Sequence, residues 1–324
     1  MEFAKLTLRR NIICILSCIS SLPAFAQNIC LLPQVTEGVV TLDDKCIYKG
    51  GIVINMSNTT LDCNSATVDA EGFKDGIVIS SDGKKINNIS IKNCNILNAR
   101  DSGIRVSWLG KDINKSNVPD RYAKTPHNIT IANNHIINSG KNGIFLDDYS
   151  SLVTIRNNFI KNSGATAIYL EHDSRKNRIE GNFIENNGYR NNRPVREAIA
   201  IDSSQKNIVI GNTFKNNGKG GVFIYKNCSE KFHSGTQELR KMHANFNVIK
   251  GNYFYNEKVG IWLASRQGKN LKHMDCGDKA IDSAGLYYQD YADENIVSQN
   301  RFESVSRPII DNGKNNRIEN NLIN

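Results

Sequence analysis

The 324-residue chain is short of several things that would place it in a familiar class. Past its N-terminal segment it has no second long apolar run, so the mature chain is expected to be soluble and not inserted in a membrane. No helix-length stretch repeats its apolar residues every three to four positions, which excludes a doubly wound α/β fold. No Cys-x-x-Cys pair and no histidine cluster argues for a structural metal.

The N-terminal run has a different reading. Arg9 and Arg10 precede apolar residues from Ile12 to Leu22, and Ala24-Phe25-Ala26 fits a small-residue cleavage site. Residues 1–26 therefore read as a secretory signal, followed by one domain over 27–324, exported to the periplasm or exterior. The signal removes Lys5, Arg9, Arg10 and Glu2, which takes the net charge from +9 to +7. A basic exported protein is expected to meet acidic polysaccharide, not nucleic acid. Six of the eight cysteines remain, an even number that suggests disulfides. Cys30–Cys46 would staple the N-terminal end and Cys228–Cys276 would tie two insertions. Cys63 and Cys94 sit at similar places in successive repeats, either bonded or stacked.

What the chain has in abundance is repetition. Apolar–x–apolar triplets recur at Ile104-Arg105-Val106, Ile144-Phe145-Leu146, Ile168-Tyr169-Leu170, Ile199-Ala200-Ile201, Val222-Phe223-Ile224, Ile261-Trp262-Leu263 and, more loosely, Ile309-Ile310. Between them run lines of Ile or Val followed three residues on by Asn, which place Asn134, Asn158, Asn182, Asn212, Asn252, Asn300 and Asn321 at equivalent turns, with Cys94 one repeat earlier. Short β-branched runs bounded by Gly and Asn are strands, and a period of about two dozen residues marks a solenoid. The expected fold is all-β: a right-handed parallel β-helix of about 8–10 coils with an N-terminal cap over 28–50. The asparagines read as a structural ladder. The chain is expected to be a monomer.

Spacing between triplets is uneven, with excess residues near 107–127, 188–196, 227–245 and 266–294. Three of these insertions leave just after the triplet, and stacked loops on one edge of a solenoid build its binding face. The middle coils then form a floor. Strand alternation points the central triplet residue outward, which gives the column Arg105, Phe145, Tyr169, Ala200, Phe223, Trp262. Two residues on comes Ser107, Asp147, Glu171, Asp202, Tyr225, Ala264. Asp148, His172, Asp173 and Lys226 lie beside that column, Arg196 and Glu197 end the small insertion, and Arg266 follows Trp262.

Aromatic faces suit sugar rings, so Arg105, Phe145, Asp148, Tyr169, Asp173, Phe223, Trp262 and Arg266 are the expected substrate contacts. Carboxylates in consecutive coils repel, which raises at least one pKa. Asp147, Glu171 and Asp202 then serve as acid/base groups or hold Ca²⁺; the cofactor is Ca²⁺ or none. For a uronate, a cation neutralises the carboxylate and a base removes the adjacent proton. Arg196 and Arg105 are candidates for the first task, and His172, Lys226 and Tyr225 for the second. Asp147 and Asp202, two coils apart, keep hydrolysis open.

Thr60-Leu61-Asp62-Cys63-Asn64 and Ile91-Lys92-Asn93-Cys94 resemble the opening coils of secreted carbohydrate-binding β-helix proteins. That group includes mannuronan epimerases, β-helix polysaccharide lyases and a periplasmic copper-accessory family, and the resemblance covers most of 50–324. Tyr169-Leu170-Glu171-His172-Asp173-Ser174 is similar to the Asp-Pro-His-Asp/Glu segment of alginate epimerases. The resemblance implies proton transfer by His172 with Asp173, and carboxylate neutralisation by Arg196. Here Glu171 stands in place of the Pro and Leu170 in place of the first Asp. The paired Asp and Arg-x-Lys of pectin hydrolases are absent. The expected function is polysaccharide lyase. Uronate epimerisation is the second reading; glycoside hydrolysis and a non-catalytic glycan-binding or matrix role follow.

Overall fold

A computed structural model describes residues 28–108, 120–228 and 241–324, apart from 275 and 277. The triplets and the Asn lines between them become strands of three parallel sheets, of 11, 9 and 10 strands, joined in a single winding path. The nine-stranded sheet carries the triplets. Its strands run from Ile52–Ile54 through Asn142–Leu146, Ile168–Leu170, Ile199–Asp202 and Val222–Tyr225 to Val259–Leu263 and Arg307–Asp311. Registers are in step: Phe145 lies beside Tyr169, Tyr169 beside Ala200, and Phe223 beside Trp262. The apolar members of the six full triplets point inward and are fully buried, while Ile309 is half-buried. A stack of Phe214, Phe254 and Phe302, with centroids 4.6 and 5.0 Å apart, fills the later coils.

The small residue before each triplet has a steric cause. A Cβ on Gly143 would lie 2.5 Å from Ile160 Cγ2 and 2.6 Å from the Ala167 carbonyl, because neighbouring coils pass too closely there.

The Asn-Asn and Gly-Asn pairs have a conformational cause. Asn133, Asn157, Gly181, Gly211 and Gly251 all have φ between 54° and 64°, the left-handed region these residues tolerate. The next residue then turns its amide inward. Asn182 donates to Asn212 Oδ1 and the Ile155 carbonyl, and accepts from the backbone and side-chain amides of Asn158. The same pattern continues along the expected column, up to Asn321 and down to Cys94, whose backbone N–H donates to Asn134. Two further ladders were not expected. One links Asn177, Asn207, Asn247, Asn295 and Asn316. The other links Asn187 and Asn217 and ends on Glu257.

Residues 28–50 cap the solenoid by extending it: Gly38–Thr41 already pairs in parallel with Thr59–Asp62, and Cys46–Lys49 with Thr67–Asp69. Three disulfides form: Cys30–Cys46, Cys63–Cys94 and Cys228–Cys276. The open question at Cys63 and Cys94 thus resolves as a bond between successive coils. Among the described residues no helix is long and apolar enough to cross a membrane. The one α-helix there, Arg121–Lys124, lies in the first insertion, and the small insertion forms the hairpin Tyr189–Arg190 and Arg193–Pro194.

Candidate functional site

The outward face of the nine-stranded sheet carries both expected columns, but much of it is packed. Phe145 and Tyr169 stack at 5.4 Å, and Phe223 meets Trp262 edge-on at 5.3 Å. Ala200, between them, is fully buried. Arg105 spans Phe145 and clamps Asp147 through Nη2 at 2.5 Å, and Ser107 donates to the same oxygen at 2.6 Å. Burial opposes the charged form of Asp147, yet Arg105 and Ser107 outweigh it and hold the carboxyl below its ordinary value. The expected rise from carboxylate repulsion is therefore absent at this residue, because its partner is a guanidinium.

Asp202 is fully buried and accepts from the Tyr169 hydroxyl at 2.7 Å, from Ser203 Oγ and from the Asn227 backbone N–H. For a Ca²⁺ site, one oxygen each from Asp147, Asp148 and Glu171 lies within 4.8 Å of the others; Asp202 is not in that group. The donors suit a hard cation. Asp147 is already paired with Arg105, however, and Asp148 sits 3.6 Å from His172 Nδ1. Both carboxylates are thus already engaged by a basic side chain.

His172 and Lys226 depart from the expected open surface. His172 is 5 % exposed, with Nε2 3.1 Å from Asp173 Oδ2 outside hydrogen-bond geometry. The two insertions close over it: Tyr122 Oη donates to the Asp173 carbonyl, and the Met242 N–H donates to Asp173 Oδ1. Burial acts to lower the imidazole pKa, but Asp148 and Asp173 more than reverse this and push it up to about 10. Lys226 is buried beneath the last insertion, paired with Asp278 and facing Tyr291. Both side chains point at fixed partners, away from the floor.

Only part of the expected set converges; Glu171, Tyr169 and the residues around Asp147 and Asp202 stay outside. Arg196, Glu197, Lys219, Phe223, Tyr225, Trp262, Ser265, Arg266 and Lys269 line an open cleft of about 320 Å³. Tyr225 Oη accepts from Arg196 Nη2 at 2.9 Å and donates to Glu197 Oε1 at 3.3 Å. Arg196 lies over the Tyr169 ring, Arg266 over Tyr225, and Lys269 over Trp262. Four cations thus face a single carboxylate, Glu197, across an aromatic floor. The Lys269 pKa is lowered first by burial, then by Arg266 and Lys219. Tyr225 is raised, chiefly by burial, with Arg196 offsetting part.

Sequence reasoning missed Lys219, Ser265, Lys269 and Asp290. Lys219 was within reach: its N–H donates to the Arg196 carbonyl, so both occupy the turn that precedes the triplet, a column never read outward. Asp290 anchors the last insertion by accepting from the N–H groups of Lys226 and Arg266, and burial raises its pKa to about 7.

The chain belongs to a family of known architecture. Residues 75–237 and 122–273 match the model described as right handed beta helix region. No curated protein matches significantly. Among solved structures, the chain is similar to an alginate lyase from a Paenibacillus species, with 14 % identity and a TM-score of 0.52, over 88 % of this chain and 91 % of that one. It is also similar to the periplasmic alginate epimerase AlgG, with 14 % identity and a TM-score of 0.52, over 86 % and 62 %. A third likeness is to tailspike protein 2 of an Escherichia coli bacteriophage, with 11 % identity and a TM-score of 0.53, over 87 % and 35 %. The chain thus spans less than two thirds of the epimerase and of the tailspike. At these identities the likeness is one of fold.

Proposed function

We propose that the protein is an exported enzyme that acts on an acidic, uronate-containing polysaccharide, removing the proton beside the carboxylate and eliminating the 4-linked sugar. The observation that carries this is the cleft in which Arg196, Lys219, Arg266 and Lys269 face Glu197 alone over Phe223 and Trp262. Such a site attracts an anion and offers a sugar ring an apolar face. Three disulfides support export.

Each step has a group suited to it. Arg266 and Arg196 neutralise the substrate carboxylate, which makes the adjacent C–H acidic. Lys269, whose pKa is lowered by burial and by Arg266 and Lys219, is the group assigned to accept that proton. Tyr225, its pKa raised, keeps its phenolic proton for the departing glycosidic oxygen. The C–H electron pair becomes the new C=C bond, the C–O bond breaks, and the oxygen leaves as a hydroxyl. Environments that push two titratable groups apart are the pattern of an acid/base pair.

The epimerase reading uses the same neutraliser and base. His172, on which the likeness to alginate epimerases rested, is enclosed and protonated, and this favours elimination. Incubation with a panel of polyuronates tests the proposal. Rising ultraviolet absorbance from the conjugated product with falling chain length supports it. Solvent proton exchange into an intact polymer indicates epimerisation. Folded protein that does neither refutes it.

A further inference from the structure

The turn that precedes each triplet carries a column of its own. Three residues before the first triplet residue stand Asp101, Lys141, Ala165, Arg196, Lys219 and Lys258, in successive coils. Backbone bonds keep the column in step: the N–H groups of Lys141, Ala165 and Lys219 donate to the carbonyls of Asp101, Lys141 and Arg196. In the coil after Lys258, the Arg307 N–H donates to the Lys258 carbonyl.

The column changes character at the cleft. Toward the earlier coils it is neutral: Lys141 pairs with Asp101 at 3.0 Å, and Ala165 carries no charge. Arg105, on the same side of the cleft, is taken by Asp147. Arg196 is held by Glu197. Beyond Arg196 the cations have no such partner. Lys219, Lys258 and Arg307 are exposed, and none of them makes an ion pair among the described residues. Arg307 also lies over the Trp262 ring, with Cζ 5.8 Å from its centroid, so the row is continuous with the cleft. Cations in successive coils, about 4.8 Å apart, repel one another unless a polyanion lies across them.

We propose that Lys219, Lys258 and Arg307 carry the substrate out of the cleft: a polyuronate chain lies along the solenoid axis and extends toward the later coils only, with about one acidic sugar per coil. This rests on the cleft's accepting a uronate, and adds a direction and a length to it. A 4-linked sugar advances by about one coil spacing, so the spacing of charge on the polymer matches that of the row. Lys258 and Arg307 stand away from the bond that breaks. They set how long a chain is preferred and take no part in the proton transfers.

Calorimetry on the full chain tests this, in a Tyr225→Phe background that slows turnover, with oligomannuronates and oligogalacturonates of two, four and six units as probes. Affinity is expected to rise from dimer to hexamer in at least one series. Lys258→Gln combined with Arg307→Gln is expected to weaken the hexamer about tenfold, the worth of two exposed charge contacts, and the dimer less than about twofold. Both side chains are exposed, so the melting temperature is expected to stay at that of the parent. Lys141→Gln is expected to bind every length as the parent does, because Lys141 is already paired. Three results would overturn the assignment: a hexamer that binds no tighter than the dimer; a double variant that keeps the full hexamer affinity; or a loss from Lys141→Gln as large as that from the double variant. Binding of no oligouronate at all is a separate failure, which removes the cleft's preference for a uronate together with the row.

Discussion

Replacing Asn182 by Ala tests how much the inward ladder holds the coils together. Asn182 makes four buried side-chain hydrogen bonds, two donated and two accepted. Two of the partners keep another bond: Asn158 Nδ2 still donates to the Ile131 carbonyl, and Asn212 Oδ1 still accepts from the Asn182 backbone. The Asn158 backbone N–H is left with no acceptor, and the Ile155 carbonyl loses a donor. Leaving a buried polar group unmet costs about 1–3 kcal/mol, and each of the three other lost bonds about 1 kcal/mol, for a total of about 4–6 kcal/mol. Urea unfolding followed by circular dichroism measures it. Asn162→Gly is the control, since it removes only an exposed 3.2 Å bond to Asn138 and is expected to cost under about 1 kcal/mol. If Asn182→Ala costs no more than this control, the ladder is not what fixes the register.

Other outcomes follow from the buried charges and the cleft. The folded pKa of His172, about 10, lies above its ordinary 6.5, so its contribution is complete below pH 6.5 and is lost as pH rises through 10. Its imidazole is expected to remain protonated by NMR at pH 8, and a neutral ring at that pH contradicts the assignment. Burial raises Glu257 from 4.5 to about 8, against the pull of the Asn217 bonds, so its ionisation destabilises the fold as pH rises from 4.5 past 8. Glu257→Gln is expected to raise the melting temperature at pH 8 more than at pH 5; equal shifts would argue against a buried acid. Tyr225→Phe is expected to lower kcat on a polyuronate about 10²–10⁴-fold, the usual worth of a general acid, with little change in KM. An unchanged kcat removes Tyr225 from the chemistry.

The solenoid was legible because one period governs backbone, core and ladder together. The Asn182 column and the outward pairing of Phe145 with Tyr169 follow from that register, whereas Cys30–Cys46 and Cys228–Cys276, expected from an even cysteine count, lie in the cap and the insertions. What covers a side chain does not. Lys226 pairs with Asp278, and His172 is closed over by contacts reaching Asp173 from Tyr122 and Met242, all carried by insertions outside the repeat. Strand alternation assigns a face and says nothing of a loop that returns across it. The cleft was half legible for the same reason. Phe223, Tyr225 and Trp262 lie on strands, and Arg196 and Arg266 beside them. Lys219 and Lys269 lie in a turn and an insertion, where periodicity gives no direction.

The central claim is that the cleft over Trp262 recognises a uronate carboxylate. The chain has two tryptophans, and in a Trp108→Phe background fluorescence reports Trp262 alone. Titration of that protein with a tetrauronate is the most direct measurement. Saturable quenching is expected, weakened by salt and by Arg266→Ala or Lys269→Ala, with none from the matching neutral tetramer at the same concentration. Quenching that ignores salt and both substitutions, or that the neutral sugar reproduces, contradicts the account.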